Sequence, residues 1–397
     1  MIIVQSDNSV IITRFAECLQ VNNANLDDVK QAMDDLIKHA REGGLFPHAT
    51  RKMRLYSTNE VCNMIGKSTT SLYNAETQGI IDKPDINDKG RRIGYSLEDV
   101  NKLRAHYMIK ARGTKEYARL SITAAFYNFK GGVGKTTGAV CMAQYLAIQG
   151  YKTLIIDMDS QGSSTSLFGY IPDEDISEDD TVLPFTLYNE KSTLEYAIRK
   201  THIDGLYLIP ANQHLSSSEF EAASQIYGSD KANAIDYFLR LKDGIDTIKN
   251  DFDFVLIDAP PSLGIIGIQT LISVDNIVIP CPPRMLDFVS TRQFLQTATE
   301  YVSKVAQDKD FNSIKVLVSM YDKRNTKSKE FMEVMESVLD DHMYSNQMLH
   351  SEAIDNSTAF FQTPWEAEKP DKRISENMRA VFNEIATDLI ERNKANA

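Results

Sequence analysis

Apolar positions follow three different rhythms along this chain. Between residues 25 and 41, NLDDVKQAMDDLIKHAR puts Leu26, Val29, Met33 and Leu36/Ile37 on one helical face, with Glu42, Gly43 and Gly44 closing the segment. A helix of this kind serves oligomerisation or packs back on its own chain, and residues 1–48 are read as a helical dimerisation segment. From Tyr56 to about Arg112 the pattern shortens. Ser57 or Thr58 caps STNEVCNMIG, Gly66 turns the chain, and Ser68 or Thr69 caps KSTTSLYNAETQG, which is helix-turn-helix spacing. IIDKPDINDKGRRIGYS then supplies two short extended runs around Asp88-Lys89-Gly90, and Ser96 opens another helix with Glu98 and Asp99 in its first turn. A basic hairpin in that place predicts a wing.

Beyond Lys115 apolar runs recur at 122–129, 153–159, 206–211, 254–260, 276–281 and 314–320, separated by helical stretches. Near-continuous apolar strands of this sort belong to a parallel sheet buried on both faces. The predicted fold is therefore α/β, a mostly parallel sheet with helices on both faces at 118–397. A small winged helix-turn-helix at 49–112 and the N-terminal helix precede it. The acidic stretch DEDISEDD (173–180) reads as a solvated loop.

Charge sharpens this division. The chain of 397 residues carries a formal net charge of -12, yet residues 50–112 hold 12 Lys+Arg against 7 Asp+Glu, so the remainder carries -17. A basic module is joined to an acidic domain, so the net charge does not argue against nucleic acid. Cys18, Cys62, Cys141 and Cys281 form no CxxC pair and lack His at metal-ligand spacing, which points away from a disulfide framework or a zinc site. No apolar run reaches the 18 or so residues of a membrane span, and MIIVQSDNSV lacks a secretory layout, so the expected setting is cytoplasmic.

The sharpest chemical signal is KGGVGKTT, Lys130, Gly131, Gly132, Val133, Gly134, Lys135, Thr136 and Thr137, set between an apolar strand and a helix. The standard phosphate loop puts four residues between its first Gly and the Gly-Lys pair, whereas only Gly132 and Val133 separate Gly131 from Gly134. This is a variant loop with its chemistry intact. Its glycines let backbone N–H groups approach phosphate at a helix N-terminus, Lys135 reaches the β- and γ-phosphates, and the Thr136 hydroxyl suits Mg²⁺. Two acidic motifs, DMDSQG (157–162) and LIDAPPS (256–262), end other strands where ligands of an open α/β sheet gather. Asp258 suits the metal, and Asp157 and Asp159, alternating on a continuing strand, would share a face from which either positions water.

These three motifs, in this order and at these separations, resemble the ParA family of partition ATPases within the deviant Walker group that includes MinD and the nitrogenase iron protein. The resemblance covers about residues 118–397. It implies a homodimer sandwiching ATP/ADP with Mg²⁺, Lys130 reaching across to the partner's phosphates, Lys135 on the phosphates and Thr136 on Mg²⁺. It further implies Thr137 at the loop end, Asp159 on the attacking water, Asp258 at the metal's second shell and Asp157 supporting metal or water. Ser160 departs from the proline usual in the family. The segments 280–294 and 317–325 are also similar to ParA stretches. The second, with Lys323, Arg324, Lys327 and Lys329, is a candidate face for DNA of any sequence.

The basic module resembles the winged helix-turn-helix of the large partition ATPases of the F and P1 plasmids, which repress their own operon. On that reading Lys67, Ser68, Thr69, Thr70, Ser71, Tyr73 and Asn74 enter the major groove, while Arg91 and Arg92 approach phosphates or the minor groove. The implied partners are operator DNA, nucleoid DNA and a ParB-type centromere-binding protein, with no membrane. Two other readings stay open. One is a nucleotide-gated repressor with incidental turnover. The other is a MinD-like membrane ATPase, for which the tail MRAVFNEIATDLIERNKANA has too few large apolar residues.

Overall fold

The computed structural model describes residues 26–42, 51–111, 119–227, 231–358 and 361–395. The chain divides into two units, Met1–Pro47 and His48–Ala397. Within the first, α1 (Leu26–Glu42) has Asp27 and Asp28 in its first turn, and Leu26, Val29, Met33 and Leu36 are exposed. The expected closure at Gly43 and Gly44 lies outside the described residues.

The second unit opens with three helices, α2 (Thr58–Ile65), α3 (Thr69–Thr77) and α4 (Leu97–His106). Each cap falls on a residue that the sequence offered. Ser57 forms a capping box with Glu60, Ser68 accepts the Ser71 N–H, and Ser96 forms a box with Asp99. Gly66, at φ 61°, makes the turn between α2 and α3. Val61, Ile65, Leu72, Ala75, Val100 and Leu103 are buried between the helices. The expected hairpin is reduced to an antiparallel bridge, Ile86 with Arg92, closed at Asn87–Gly90, while Tyr95 bridges back to Tyr56.

Beyond it lie seven strands, β1 (Ile122–Phe126), β2 (Thr153–Asp157), β3 (Arg199–Lys200), β4 (Leu206–Ile209), β5 (Phe254–Asp258), β6 (Asn276–Cys281) and β7 (Ser313–Val318). They form one sheet in the order β3-β4-β2-β5-β1-β6-β7, parallel except for β3 against β4. All six apolar runs are strands. β3 is an addition of two residues, too short to leave a periodic signal. β1, β2, β5 and β6 are buried at every position, as a sheet covered on both faces requires. At the far edge β7 is met by bridges from Val316 to Met343 and from Tyr321 to Leu349.

The longer helices of this part are α5 (Lys135–Ile148), α6 (His214–Tyr227), α7 (Lys231–Ile248), α8 (Ile265–Ser273), α9 (Met285–Val305), α10 (Thr326–Leu339) and α11 (Lys372–Ala395). α11 buries Ile374, Met378, Val381, Phe382, Ile385, Leu389 and Ile390, so the apolar face that a membrane-lying tail would need is committed to the core. No helix among the described residues is long and apolar enough to cross a membrane.

The acidic stretch 173–180 keeps its acidic side chains exposed or half-exposed, as a solvated segment should, but it is not a plain loop. It forms two short turns, Pro172–Asp175 and Glu178–Asp180, around a buried Ile176. Its carboxylates have local work. Asp175 accepts the Ile171 N–H at 2.8 Å, and Asp180 closes a box with Ser177 and pairs with Arg199 at 2.8 Å.

Candidate functional site

The site lies where the order of strands reverses around β1, the place where an open α/β sheet leaves a crevice. The chain leaves β1 at Phe126 and runs through Lys130–Gly134 into α5. Gly132 (φ 70°) and Gly134 (φ 91°) take left-handed conformations that strain any residue with a Cβ. An added Cβ at Gly131 or Gly132 would meet nothing within 4 Å, so this part of the loop faces open space at a helix N-terminus.

Groups outside the motif hold the loop in shape. Buried Asn128 donates at 2.8 Å to both Pro280 O and Thr291 Oγ1, and its Oδ1 receives the Lys130 N–H at 3.3 Å. From the end of β7, Ser319 Oγ donates to Val133 O at 2.7 Å, and the next residue, Met320, sits at φ 52°. A non-glycine residue in that region marks stored backbone strain beside the loop.

The two lysines of the loop stand differently. Lys135 is buried, and its Nζ donates to Lys130 O at 3.1 Å. Burial lowers its pKa, against the opposing charges of Asp258 and Asp159. Lys130 instead points its Nζ to Asp287 Oδ1 at 2.6 Å, with 39% of the lysine side chain exposed and 4% of the aspartate's. Thr136 and Thr137 are half-buried in the first turn of α5.

Asp157 and Asp258 are directly paired across β2 and β5, and both are fully buried. Burial raises both carboxyls well above the usual range. The charge of Asp258 adds to this at Asp157, while Thr136 and Ser164 oppose it at Asp258. Their oxygens are used differently. Asp157 Oδ2 accepts the N–H and hydroxyl of Thr165, each at 2.8 Å, and its Oδ1 accepts the Asp159 N–H at 3.1 Å. Asp258 Oδ2 accepts from Ser164 at 2.8 Å, but its buried Oδ1 has no hydrogen-bond partner. An orphaned buried carboxylate oxygen next to a threonine hydroxyl fits a divalent cation.

The strand expected to carry both Asp157 and Asp159 stops short of the second. β2 ends at Asp157, and the bond from Asp159 N–H to the Asp157 carboxylate turns the chain, so Asp159 is not on a shared strand face. It is half-buried in the turn, with its own Oδ1 accepting the Gln161 N–H at 3.0 Å. Asn128, Ser164, Thr165, Asp287 and Ser319 were not singled out in the sequence. Asp287 and Ser319 lie within the segments 280–294 and 317–325, and the hydroxyl run SSTS after DMDSQG holds Ser164 and Thr165.

Lys67, Ser68, Thr69, Thr70, Tyr73 and Asn74 are exposed around the start of α3. Ser71 is half-buried and bonds Ser68 at 3.1 Å. Arg91 is exposed, but Arg92 turns inward. Its guanidinium binds the buried Glu76 carboxylate, donates to Tyr95 OH at 2.7 Å and covers the Tyr73 ring at 4.3 Å. The expectation that Arg92 faces DNA therefore gives way to a role in fastening the turn to α3, because Glu76 would otherwise be an unpaired buried charge. Lys323, Arg324, Lys327 and Lys329 are exposed around the start of α10, with Arg324 on Asp322 at 3.1 Å and Lys327 on Glu330 at 2.8 Å.

The profile of a family described as AAA domain matches residues 121–313. Protein SopA of Escherichia coli (strain K12) is 30% identical over 291 residues, covering 72% of this chain and 74% of SopA. The chromosome-partitioning ATPase Soj of Treponema pallidum (strain Nichols) is 30% identical over 223 residues, 56% of this chain and 81% of Soj. A solved structure called Partition Protein superposes with a TM-score of 0.61 over 91% of this chain and 99% of its own, at 17% identity, a likeness of fold alone.

Proposed function

The chain belongs to the ParA family of partition ATPases, and on that premise we propose that it is the nucleotide-switched motor of a DNA segregation system and the repressor of its own operon. It is a P-loop ATPase that acts on ATP with Mg²⁺. In the reading offered here two protomers sandwich ATP, the dimer holds DNA of any sequence through Lys323, Arg324 and Lys327, and a ParB-type partner triggers hydrolysis and release. The module at 51–111 binds the operator through Lys67 to Asn74 and Arg91.

The observation that carries this reading is the division of labour between two lysines of one loop. Lys135 is buried behind the loop, suited to its own protomer's phosphates, whereas Lys130 is partly exposed and held on a side chain from another helix. Thr136 and Asp258 would hold Mg²⁺, which would neutralise developing charge on the phosphate oxygens. Lys135 exchanges the Lys130 carbonyl for phosphate oxygens, and the loop N–H groups of 131–134 point donors at the same charge. Asp159, in its turn outside the strand, orients the attacking water. Asp157, with both oxygens occupied, fixes the turn that carries Asp159 and supports Asp258 from the neighbouring strand.

DNA binding by the full chain tests this, with ADP, ATP or no nucleotide at fixed salt, on random duplex and on its own upstream region. The motor-and-repressor reading expects ATP-dependent binding to random duplex and site-specific binding favoured by ADP. If random duplex binding ignores ATP, a nucleotide-gated repressor is the better account.

A further inference from the structure

Both ends of the module at 51–111 are tied to the ATPase fold, and each tie falls on the last residue of a helix that starts beside the nucleotide site. At the front, Arg51 reaches Glu366 Oε1 through Nε at 2.9 Å and Nη2 at 2.7 Å, and its Nη1 donates to Leu167 O at 2.8 Å. Leu167 ends the short helix Ser163–Leu167, whose Thr165 is bound by Asp157 and whose Ser164 is bound to Asp258. Glu366 is itself buried. It also takes bonds from His202 at 2.8 Å, from Thr363 N–H at 3.0 Å and from Gln144, on α5, at 3.3 Å.

At the back, Arg104 of α4 donates through Nη2 to Ile148 O at 2.6 Å and through Nη1 to Asn101 at 2.7 Å. Ile148 ends α5, the helix that starts at Lys135. Arg104 is buried, no carboxylate among the described residues bridges it, and burial lowers its pKa to about 10, which leaves the Ile148 carbonyl at the end of α5 and the Asn101 side chain as its acceptors. The following turn is shaped around it. A Cβ on Gly150, which has φ 93°, would meet the arginine's Cδ at 3.3 Å.

Each arginine therefore reads the axial position of a helix through its terminal carbonyl. α5 is buried from Gly138 to Ile148 and spans about 21 Å, so it joins the phosphate loop to the Arg104 contact by one continuous element. We propose that Arg51 and Arg104 form a two-point clamp through which nucleotide occupancy and the DNA-contacting face of α3 sense each other. Linkage makes the effect reciprocal, so DNA on the module alters nucleotide affinity by the same factor. The DNA half of this proposal rests on the operator reading above.

The test uses the full chain as wild type, Arg104→Lys and Glu366→Gln, with thermal melting to establish folding. Arg104→Lys keeps the charge but not the two-pronged grip. Hydrogen exchange of residues 51–111 is compared with Mg²⁺–ADP and Mg²⁺–ATPγS, and binding to duplexes tiling the upstream region is measured in the same states. The clamp expects a nucleotide-dependent exchange difference in wild type that both variants erase, with nucleotide affinity and DNA-free turnover kept. The ADP-to-ATP ratio of duplex affinities should fall from roughly tenfold to about one. A wild type with no exchange difference, or variants that retain it, overturns the proposal. An exchange difference erased by the variants without any nucleotide-dependent duplex binding upholds the clamp and removes the operator reading instead.

Discussion

Asp287→Asn isolates the holding contact on Lys130. In the protomer the carboxylate takes the ammonium at 2.6 Å, from a nearly buried acid to a partly exposed lysine. To reach a partner's phosphates the lysine must leave, and the acid must find water or another donor. Exposed pairs contribute about 0.2–1 kcal/mol, and breaking buried ones costs roughly 3–5 kcal/mol, so about 1 kcal/mol per protomer is a cautious figure for this intermediate case. A sandwiched dimer releases two such pairs, about 2 kcal/mol, which at about 1.4 kcal/mol per tenfold is on the order of a 30-fold change in dimer affinity. Asparagine keeps the shape and loses the charge. The variant is expected to dimerise about 30-fold more tightly with Mg²⁺–ATPγS, measured by sedimentation velocity over a concentration series, and to lose that gain when Lys130→Ala is added. A dimer no tighter than wild type would refute the reasoning, since Asp287 would then be aiming the lysine in the assembled state rather than restraining it.

Lys130→Ala should still bind a fluorescent ATP analogue while turnover falls by roughly 10³ or more, the scale of a cation supplied in trans to phosphoryl transfer; turnover near wild type would remove Lys130 from the reaction. Arg92→Ala removes the cation paired with the buried Glu76 carboxylate, which keeps only the Tyr95 hydroxyl, and should cost about 1 kcal/mol in urea unfolding of the module. Arg91→Ala should leave stability unchanged and reduce the salt slope of operator binding by about one, so the opposite pattern would reverse the two assignments. Burial pushes the Glu366 carboxyl up, but hydrogen bonding from His202 and the charge of Arg51 outweigh it and hold the carboxyl below its usual range. A depressed folded value means stabilisation that is complete above the unfolded glutamate pKa of about 4.3 and lost as pH falls through the folded one. Urea unfolding below about pH 4.3 should therefore weaken more steeply in wild type than in Glu366→Gln, and parallel curves would show that Glu366 is not the acid-sensitive group.

What the sequence disclosed and what it hid follow from the range of the interactions. β1, β2, β5 and β6 announce themselves because a doubly covered strand must be apolar at each position. Ser57, Ser68 and Ser96 do so because a cap bonds within its own first turn. The glycine-rich loop is equally local. Lys130 on Asp287, Ser319 on Val133 and Arg51 on Glu366 join distant segments, and nothing beside either partner reports the match. Arg91 and Arg92 look alike in sequence because they carry the same charge, and only the buried Glu76 tells them apart. At Asp159 an Asx-type bond at the strand end breaks the two-residue alternation that the sequence suggests.

The edges of the sheet limit how this protein can polymerise. An open strand is a template on which a further chain can be laid by backbone hydrogen bonds. Here one edge is a strand of two residues, Arg199–Lys200, and the other already engages Met343, Tyr344 and Met348 through the backbone of β7. Growth by strand addition, the route to fibrils, therefore has little purchase on the folded chain. Filaments of this protein along DNA would have to be built from side-chain surfaces, since neither edge offers a strand's worth of open backbone.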